Sequence, residues 1–227
     1  MSKTSLAKVE ILENEEVHIK KKSTSYVFIK RALDIIGAII GLVIFSPFFI
    51  VIPFLFLLGE NKGPVFFKQV RIGEKGKEFR IYKFRTMIVN AEEKLKKNKE
   101  LYRKYLENNY KLEQHEDPRI TGLGRFLRKT SLDEIPQFLN VLKGEMSLVG
   151  PRPVVVEELE EYQEKVHEFL SVKPGVTGYW QVSGRSDVGY PERVDLELYY
   201  VYNASVWFDI KILLLTVKNV LLSKGAY

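Results

Sequence analysis

Two adjacent carboxylates, Asp133 and Glu134, lie in the stretch RFLRKTSLDEIPQFLNVLKGEMSLVGPRP, Arg125 to Pro153. Arg125, Arg128 and Lys129 precede them, and a Gly150-Pro151-Arg152-Pro153 turn follows. Acids boxed in by cations mark a place where negative charge is both used and bound. We read the stretch as the active site of an enzyme that handles phosphates. An ionised aspartate can attack phosphorus to give an acyl phosphate. An arginine fixed between prolines presents a planar fork suited to phosphate oxygens. A structural role fits the same residues. Ser131-Leu132-Asp133-Glu134 has the spacing of a capping box, with Ser131 as N-cap, Glu134 three residues on and Asp133 as a first-turn acid. Pro136 moves the helix start toward Asp133 or Glu134. Cap and catalysis both stay open on spacing alone, and they can coexist, because a helix N-terminus stabilises an anion and offers N–H groups to a phosphate.

The elements that must position these residues follow from the rest of the chain. Its 227 residues suffice for one domain plus an appendage, and the net charge of +6 suits anionic partners such as nucleotides or an anionic membrane face. The absence of cysteine excludes disulfides and thiolate-bound metals, and is neutral to mildly favourable for a cytosolic location. His18, His115 and His167 lack metal-ligand spacing, which leaves carboxylate-bound magnesium as the metal to consider.

Residues 1–25 read as a polar tail with no secretory signal peptide, 26–59 as a membrane segment, and 60–227 as the catalytic domain. From Ala32 to Leu58 the chain is almost wholly apolar, enough for a helix roughly 40 Å long. Positive charge flanks both ends, with Lys30 and Arg31 before and Lys62, Lys68 and Arg71 after, so the charge rule for topology names no outside end. Ser46-Pro47 interrupts the run near its middle, with serine able to bond a freed backbone group, and Pro53 adds a second break. This pattern predicts a re-entrant helix broken at Ser46 and Pro47, a kinked single span being the alternative. Asp34 is expected to pair with a cation at the interface.

Two β-prone runs, VFFKQVRI and KEFRIYKFRTM, follow, and the second brings Lys83 or Arg85 beside a site. Residues 90–116 predict an exposed charged helix whose interleaved acids argue against nucleic acid as a partner. Residues 154–170 predict an amphipathic helix. The Gly- and Pro-rich loop to Pro191, with Tyr179, Trp180 and Arg185, suits either recognition of a base or sugar or a plain core tryptophan. The tail after Trp207 predicts a helix lying at the membrane interface or buried in the core. The expected fold class is α+β and mainly helical.

Four motifs resemble the bacterial sugar transferases, the monotopic polyprenyl-phosphate phosphoglycosyl transferases: KFRTM (Lys83 to Met87), RKTSLDEIPQ (Arg128 to Gln137), GEMSLVGPRP (Gly144 to Pro153) and KPGVTGYWQVSGR (Lys173 to Arg185). The resemblance runs from Tyr26 to Tyr227. It implies transfer of a sugar-1-phosphate from a UDP-sugar to undecaprenyl phosphate, with release of UMP, starting a lipid-linked glycan. It also implies a re-entrant helix broken at a Ser-Pro pair and a catalytic domain on the cytoplasmic face of the bacterial inner membrane. On this likeness Asp133 is the nucleophile and a ligand of Mg2+, Glu134 assists proton transfer or orders the site, and Lys83, Arg128, Arg152 and Arg185 bind the phosphates and uridine. The chain is expected to be a minimal catalytic unit, with a homodimer as its assembly. Two rival readings are a membrane-anchored binding protein whose dyad only caps a helix, and an enzyme whose dyad holds metal for direct transfer. The ending SKGAY resembles the exopolysaccharide branch and points to a hexose, glucose or galactose.

Overall fold

The structure is a computed structural model that describes residues 22–57, 59–107, 112, 116–183 and 188–222. It is α+β and mainly helical, as expected, with two small sheets among the described residues. Two helices open it, α1 (Thr24–Ile44) and α2 (Ser46–Leu55), bent by 51° about Phe45. Among the described residues no single helix is long and apolar enough to cross a membrane. The break falls where Pro47 removes a backbone donor at the start of α2, and Ser46 Oγ donates to the Val43 carbonyl at 2.8 Å. Pro53 makes no second break: it lies two residues before the end of α2, where few further bonds depend on it.

Both arms of this bent pair rest on the same domain. Asp34, Ala38 and Gly41 form the buried face of α1, with Leu148 and Phe138 against its glycines. Among the described residues Asp34 pairs with no cation; it accepts bonds from Ser147 Oγ at 2.8 Å and the Leu148 N–H at 2.9 Å. Those two donors satisfy the buried carboxyl by hydrogen bonds. Arg31 donates to the carbonyls of Val141 and Leu142 at 2.7 and 2.9 Å, closing the end of the helix below it, and Lys30 pairs with Asp209 at 2.9 Å. Two of the flanking charges are thus consumed inside the domain. From α2, Ile52 and Phe56 join Phe84, Leu127, Leu132 and Ile135 in one buried cluster.

Strands β1 (Phe66–Ile72) and β2 (Glu78–Phe84) form an antiparallel hairpin from Phe66 opposite Phe84 to Ile72 opposite Glu78. Phe79 and Ile81 enter a second core cluster with Val141, Met146 and Tyr200, while Phe84 enters the cluster under α2. Residues 90–107 form two short helices, α3 (Ala91–Lys97) and α4 (Lys99–Glu107), rather than one, because Asn98 takes an extended conformation. Next come α5 (Gly122–Lys129) and α6 (Gln137–Lys143), then β3 (Ser147–Val149), paired in parallel with β4 (Gly175–Thr177). The amphipathic helix expected at 154–170 is instead a 3-10 segment, Val156–Lys165, broken at Gln163, followed by the four-residue α7 (Val166–Phe169). Gln163 has a positive φ of 48° that an α-helix does not accept. The chain continues through α8 (Tyr179–Ser183), α9 (Glu192–Asn203) and α10 (Val206–Leu221).

Helix α10 has one face in the core and one exposed. Ile212 is fully buried, while Trp207, Leu214, Val217 and Val220 stand exposed, Trp207 at 75 %. The outer faces of α1 and α2 are equally apolar, with Ile39, Ile40, Val43, Ile50, Val51 and Phe54 exposed. Apolar surface on this scale marks contact with another phase or partner.

Candidate active site

The dyad sits in a one-turn 3-10 segment, Leu132–Glu134, between α5 and α6. Ser131 adopts the left-handed conformation, φ 57°, and its side chain caps nothing. The first residue of α6 is Gln137, with Pro136 as N-cap, so the capping box predicted from spacing does not form. Asp133 lies ahead of the first turn of α6, Gln137–Lys143, so the helix N-terminus does not stabilise its charge, which corrects that expectation as well. The hydrophobic neighbours decide the conformation. Leu132 and Ile135 both turn into the cluster that contains Ile52 and Phe56 of α2, which forces the carboxylates out on the other side of the turn.

Asp133 is 8 % exposed. Burial pushes its carboxyl up to about 6; the adjacent Glu134 adds to the rise, and Lys83 and Arg128 oppose it. For Glu134 burial also works against the charge. The fields of Lys83 and Arg152, with bonds from Lys83 and Gln137, outweigh that burial and hold it below the usual range. The Lys83 ammonium reaches Glu134 Oε1 at 2.5 Å. Two neighbouring acids are thus driven apart: Glu134 stays ionised in an ion pair, and Asp133 titrates near neutral. Such splitting assigns different roles to paired carboxylates. It leaves Asp133 ionised at pH 7 yet poorly solvated, a condition that favours nucleophilic attack.

The cations are set by specific contacts. Asn140, buried in α6, accepts from the Tyr82 N–H at 3.0 Å and donates to the Arg80 carbonyl at 2.8 Å, clamping β2 one residue from Lys83. Arg128 Nε donates to Thr86 Oγ1 at 2.9 Å. Arg152 stands on the Gly-Pro-Arg-Pro turn, with its guanidinium 5.9 Å from the Trp180 ring. Arg71 joins this group from β1, bonding the Pro153 carbonyl at 3.2 Å and Glu158 at 3.3 Å. Burial, then Arg152, presses the Arg71 guanidinium down to about 10, against the pull of Glu158.

The structure therefore brings Asp133, Glu134, Lys83, Arg128 and Arg152 into one electrostatic neighbourhood. Arg185 lies outside the described residues, as do His18 and His115. Arg85 takes no part: it ties down the carbonyls of Pro64 at 2.7 Å, Met87 at 2.5 Å and Asn61, with its guanidinium 4.9 Å from the Phe56 ring. Trp180 is core, buried in α8 with Nε1 donating to the Val188 carbonyl at 2.9 Å. Sequence reasoning missed Arg71, Thr86, Gln137 and Asn140 as parts of the site. Arg71 carried a signal as a cation on a strand beside the one bearing Lys83, and Thr86 and Gln137 lie within two of the quoted motifs, while Asn140 carried none.

The family model of the bacterial sugar transferases matches residues 25–223. The chain belongs to this family. Relatives of this chain include the undecaprenyl-phosphate galactose phosphotransferase of Salmonella typhimurium, 49% identical over 203 residues that make up 88% of this chain and 42% of that protein. The exopolysaccharide production protein ExoY of Rhizobium meliloti is 44% identical over 202 residues, 87% of this chain and 88% of the relative. The UDP-glucose:undecaprenyl-phosphate glucose-1-phosphate transferase of Escherichia coli is 41% identical over 207 residues, 88% of this chain and 41% of the relative. The chain thus spans less than half the length of several relatives it matches, and nearly the full length of others.

Among the described residues no three acidic or histidine side chains gather into a metal cage. Asp133 beside Glu134 offers the one or two carboxylates with which magnesium is held when substrate phosphates complete its coordination. A buried aspartate whose charge is further disfavoured by a neighbouring acid gains from such a cation. The donor set of the dyad fits magnesium.

Proposed function

We propose that this sugar transferase moves a sugar-1-phosphate from a UDP-sugar to a polyprenyl phosphate through a covalent intermediate on Asp133. The observation that carries the proposal is the splitting of the dyad: a buried Asp133 that forms no ion pair among the described residues, beside a Glu134 already paired with Lys83. An Asp133 oxygen attacks the phosphorus that bears the sugar, the bond from that phosphorus to the bridging oxygen breaks, and UMP departs with the electron pair. A lipid phosphate oxygen then attacks the same phosphorus and returns Asp133 as a carboxylate. Lys83, Arg128 and Arg152 neutralise the phosphates during both steps. Magnesium held by Asp133 and Glu134 would supply further neutralisation of the diphosphate. The names of the relatives, which specify undecaprenyl phosphate with galactose or glucose, support a hexose donor.

With a panel of UDP-sugars and no lipid acceptor, we expect UMP release in a single burst of about one equivalent per enzyme, with a phosphosugar adduct found on Asp133 by peptide mass spectrometry. UMP formed only when the lipid is added, without an adduct, would select direct transfer.

The bent helix pair is proposed to dip into the cytoplasmic leaflet and return. Support comes from the contacts at both arms: Gly41 on Phe138, and Ile52 and Phe56 on Leu127, Leu132 and Ile135. A straight crossing would carry the far end of the pair roughly 40 Å from the domain. The chain has no native cysteine, so Thr24→Cys and Lys62→Cys report cleanly. Both should react with a membrane-impermeant maleimide from the same side of sealed vesicles; labelling from opposite sides would refute the dip.

A further inference from the structure

The Gly150 to Pro153 turn holds a single interior backbone donor, because Pro151 and Pro153 have none. That donor, the Arg152 N–H, bonds Glu197 Oε1 at 3.1 Å. Glu197 belongs to α9, 45 residues further on, and is 1 % exposed. The same carboxylate accepts the Tyr162 hydroxyl on Oε2 and Arg193 Nε on Oε1 at 3.2 Å. Arg193 is itself fixed, its guanidinium 4.5 Å from the Trp180 ring and 4.7 Å from the Tyr190 ring, with Nη1 reaching Glu158 at 3.5 Å. Arg152 and Arg193 thus share one indole, and Arg71 and Arg193 share one carboxylate, Glu158.

Three guanidinium groups crowd this corner against the acids Glu158 and Glu197. Among the described residues, Arg71 Nε and Arg193 Nη2 are buried with no partner. Retaining an under-satisfied cationic knot costs stability, so packing alone does not account for it. Glu197 is the point through which the knot grips the backbone of the turn.

We propose that Glu197 is a positioning residue for substrate binding: by holding the Arg152 N–H, it aims the Arg152 side chain at the phosphates of the nucleotide sugar. Tyr162 and Arg193 keep the carboxylate in place. The proposal rests on the assignment of Arg152 to the phosphates. Its atoms do not touch substrate, and its effect passes through Arg152 alone.

A double-mutant cycle in the detergent-solubilised full chain tests this, with the KM for the UDP-sugar as readout. Arg152→Ala should raise KM about tenfold, and Glu197→Gln, which keeps shape but weakens the charge-assisted bond, about three- to tenfold. The double variant should be no worse than Arg152→Ala, since there is then no side chain left to aim. Multiplying effects would overturn the positioning role, because a residue that only supports the fold acts whatever stands at 152. If Glu197→Gln lowers Tm enough to leave little folded enzyme, Tyr162→Phe takes its place in the same cycle, with the same two outcomes. An unchanged KM in Arg152→Ala alone would overturn the assignment of Arg152 itself, a signature distinct from multiplying effects.

Discussion

Asp133→Asn is expected to abolish turnover while making the protein more stable. Activity should fall at least ~10³-fold, since the amide is no nucleophile and the remaining cations can only bind the substrate. The stability gain follows from the carboxyl's shift from 3.8 to about 6. A group whose folded pKa is raised holds its proton more tightly when folded, so its contribution to stability falls as pH rises through the interval and reaches its full cost above pH 6. That displacement corresponds to about 3 kcal/mol at neutral pH; part of it belongs to the pair with Glu134, so a gain of about 1–3 kcal/mol is expected. Thermal melts in the presence of a chelator should show Asp133→Asn above the wild type by several degrees at pH 7.5. The gap should close as pH falls toward 4. A variant that is both inactive and less stable at neutral pH would show that the carboxylate is a structural anchor rather than a strained reactive group.

Gly124→Ala is expected to be the most damaging single-atom addition near the site. A Cβ at this position would sit 1.9 Å from the Thr86 carbonyl oxygen and 2.6 Å from its carbon, both backbone atoms with no freedom to swing away. Helix α5 must therefore lift from the segment after β2. Three features depend on that approach: the Thr121 N–H to the Thr86 carbonyl at 3.2 Å, Arg128 Nε to Thr86 Oγ1 at 2.9 Å, and Leu127 at full burial. A loss on the order of 3–4 kcal/mol is expected, seen as a Tm lower by roughly 6–16 °C. Folded enzyme recovered at low temperature should still lose about 10²-fold in activity, because Arg128 is displaced by on the order of 1 Å from the dyad. Gly122→Ala, whose Cβ meets only the Glu60 carboxylate at 3.5 Å, serves as the control and should melt close to the wild type. Equal behaviour of the two variants would refute the close approach.

The two variants probe different kinds of information. Asp133 was legible because acids, cations and a Gly-Pro-Arg-Pro turn cluster within Arg125 to Pro153. The break at Ser46 was legible because proline acts locally, on its own N–H and its own ring. The hairpin was legible from two β-prone runs split by glycines, and its register places Lys83 opposite Phe67. Each of these signals spans a few residues, so the amino-acid order carries it directly.

Other features were decided over long separations. The capping box matched its pattern and failed, because Leu132 and Ile135 are drawn into a core shared with α2, and no local spacing shows that pull. The helix expected at 154–170 gave way to a broken 3-10 segment for which we have no local account beyond the positive φ at Gln163. Trp180 suited either base recognition or the core by composition; it is core, with arginines from two distant segments against its ring.

The sequence alone determined which groups are available: two adjacent carboxylates among cations, and an apolar segment with a break at Ser46 and Pro47. Only the tertiary structure decided how those groups are held apart and aimed. It paired Lys83 with Glu134 and left Asp133 buried, and it hung the Arg152 turn from Glu197. The physical reason is that burial and ion pairing depend on distances between residues far apart in the chain, which folding fixes and linear spacing does not.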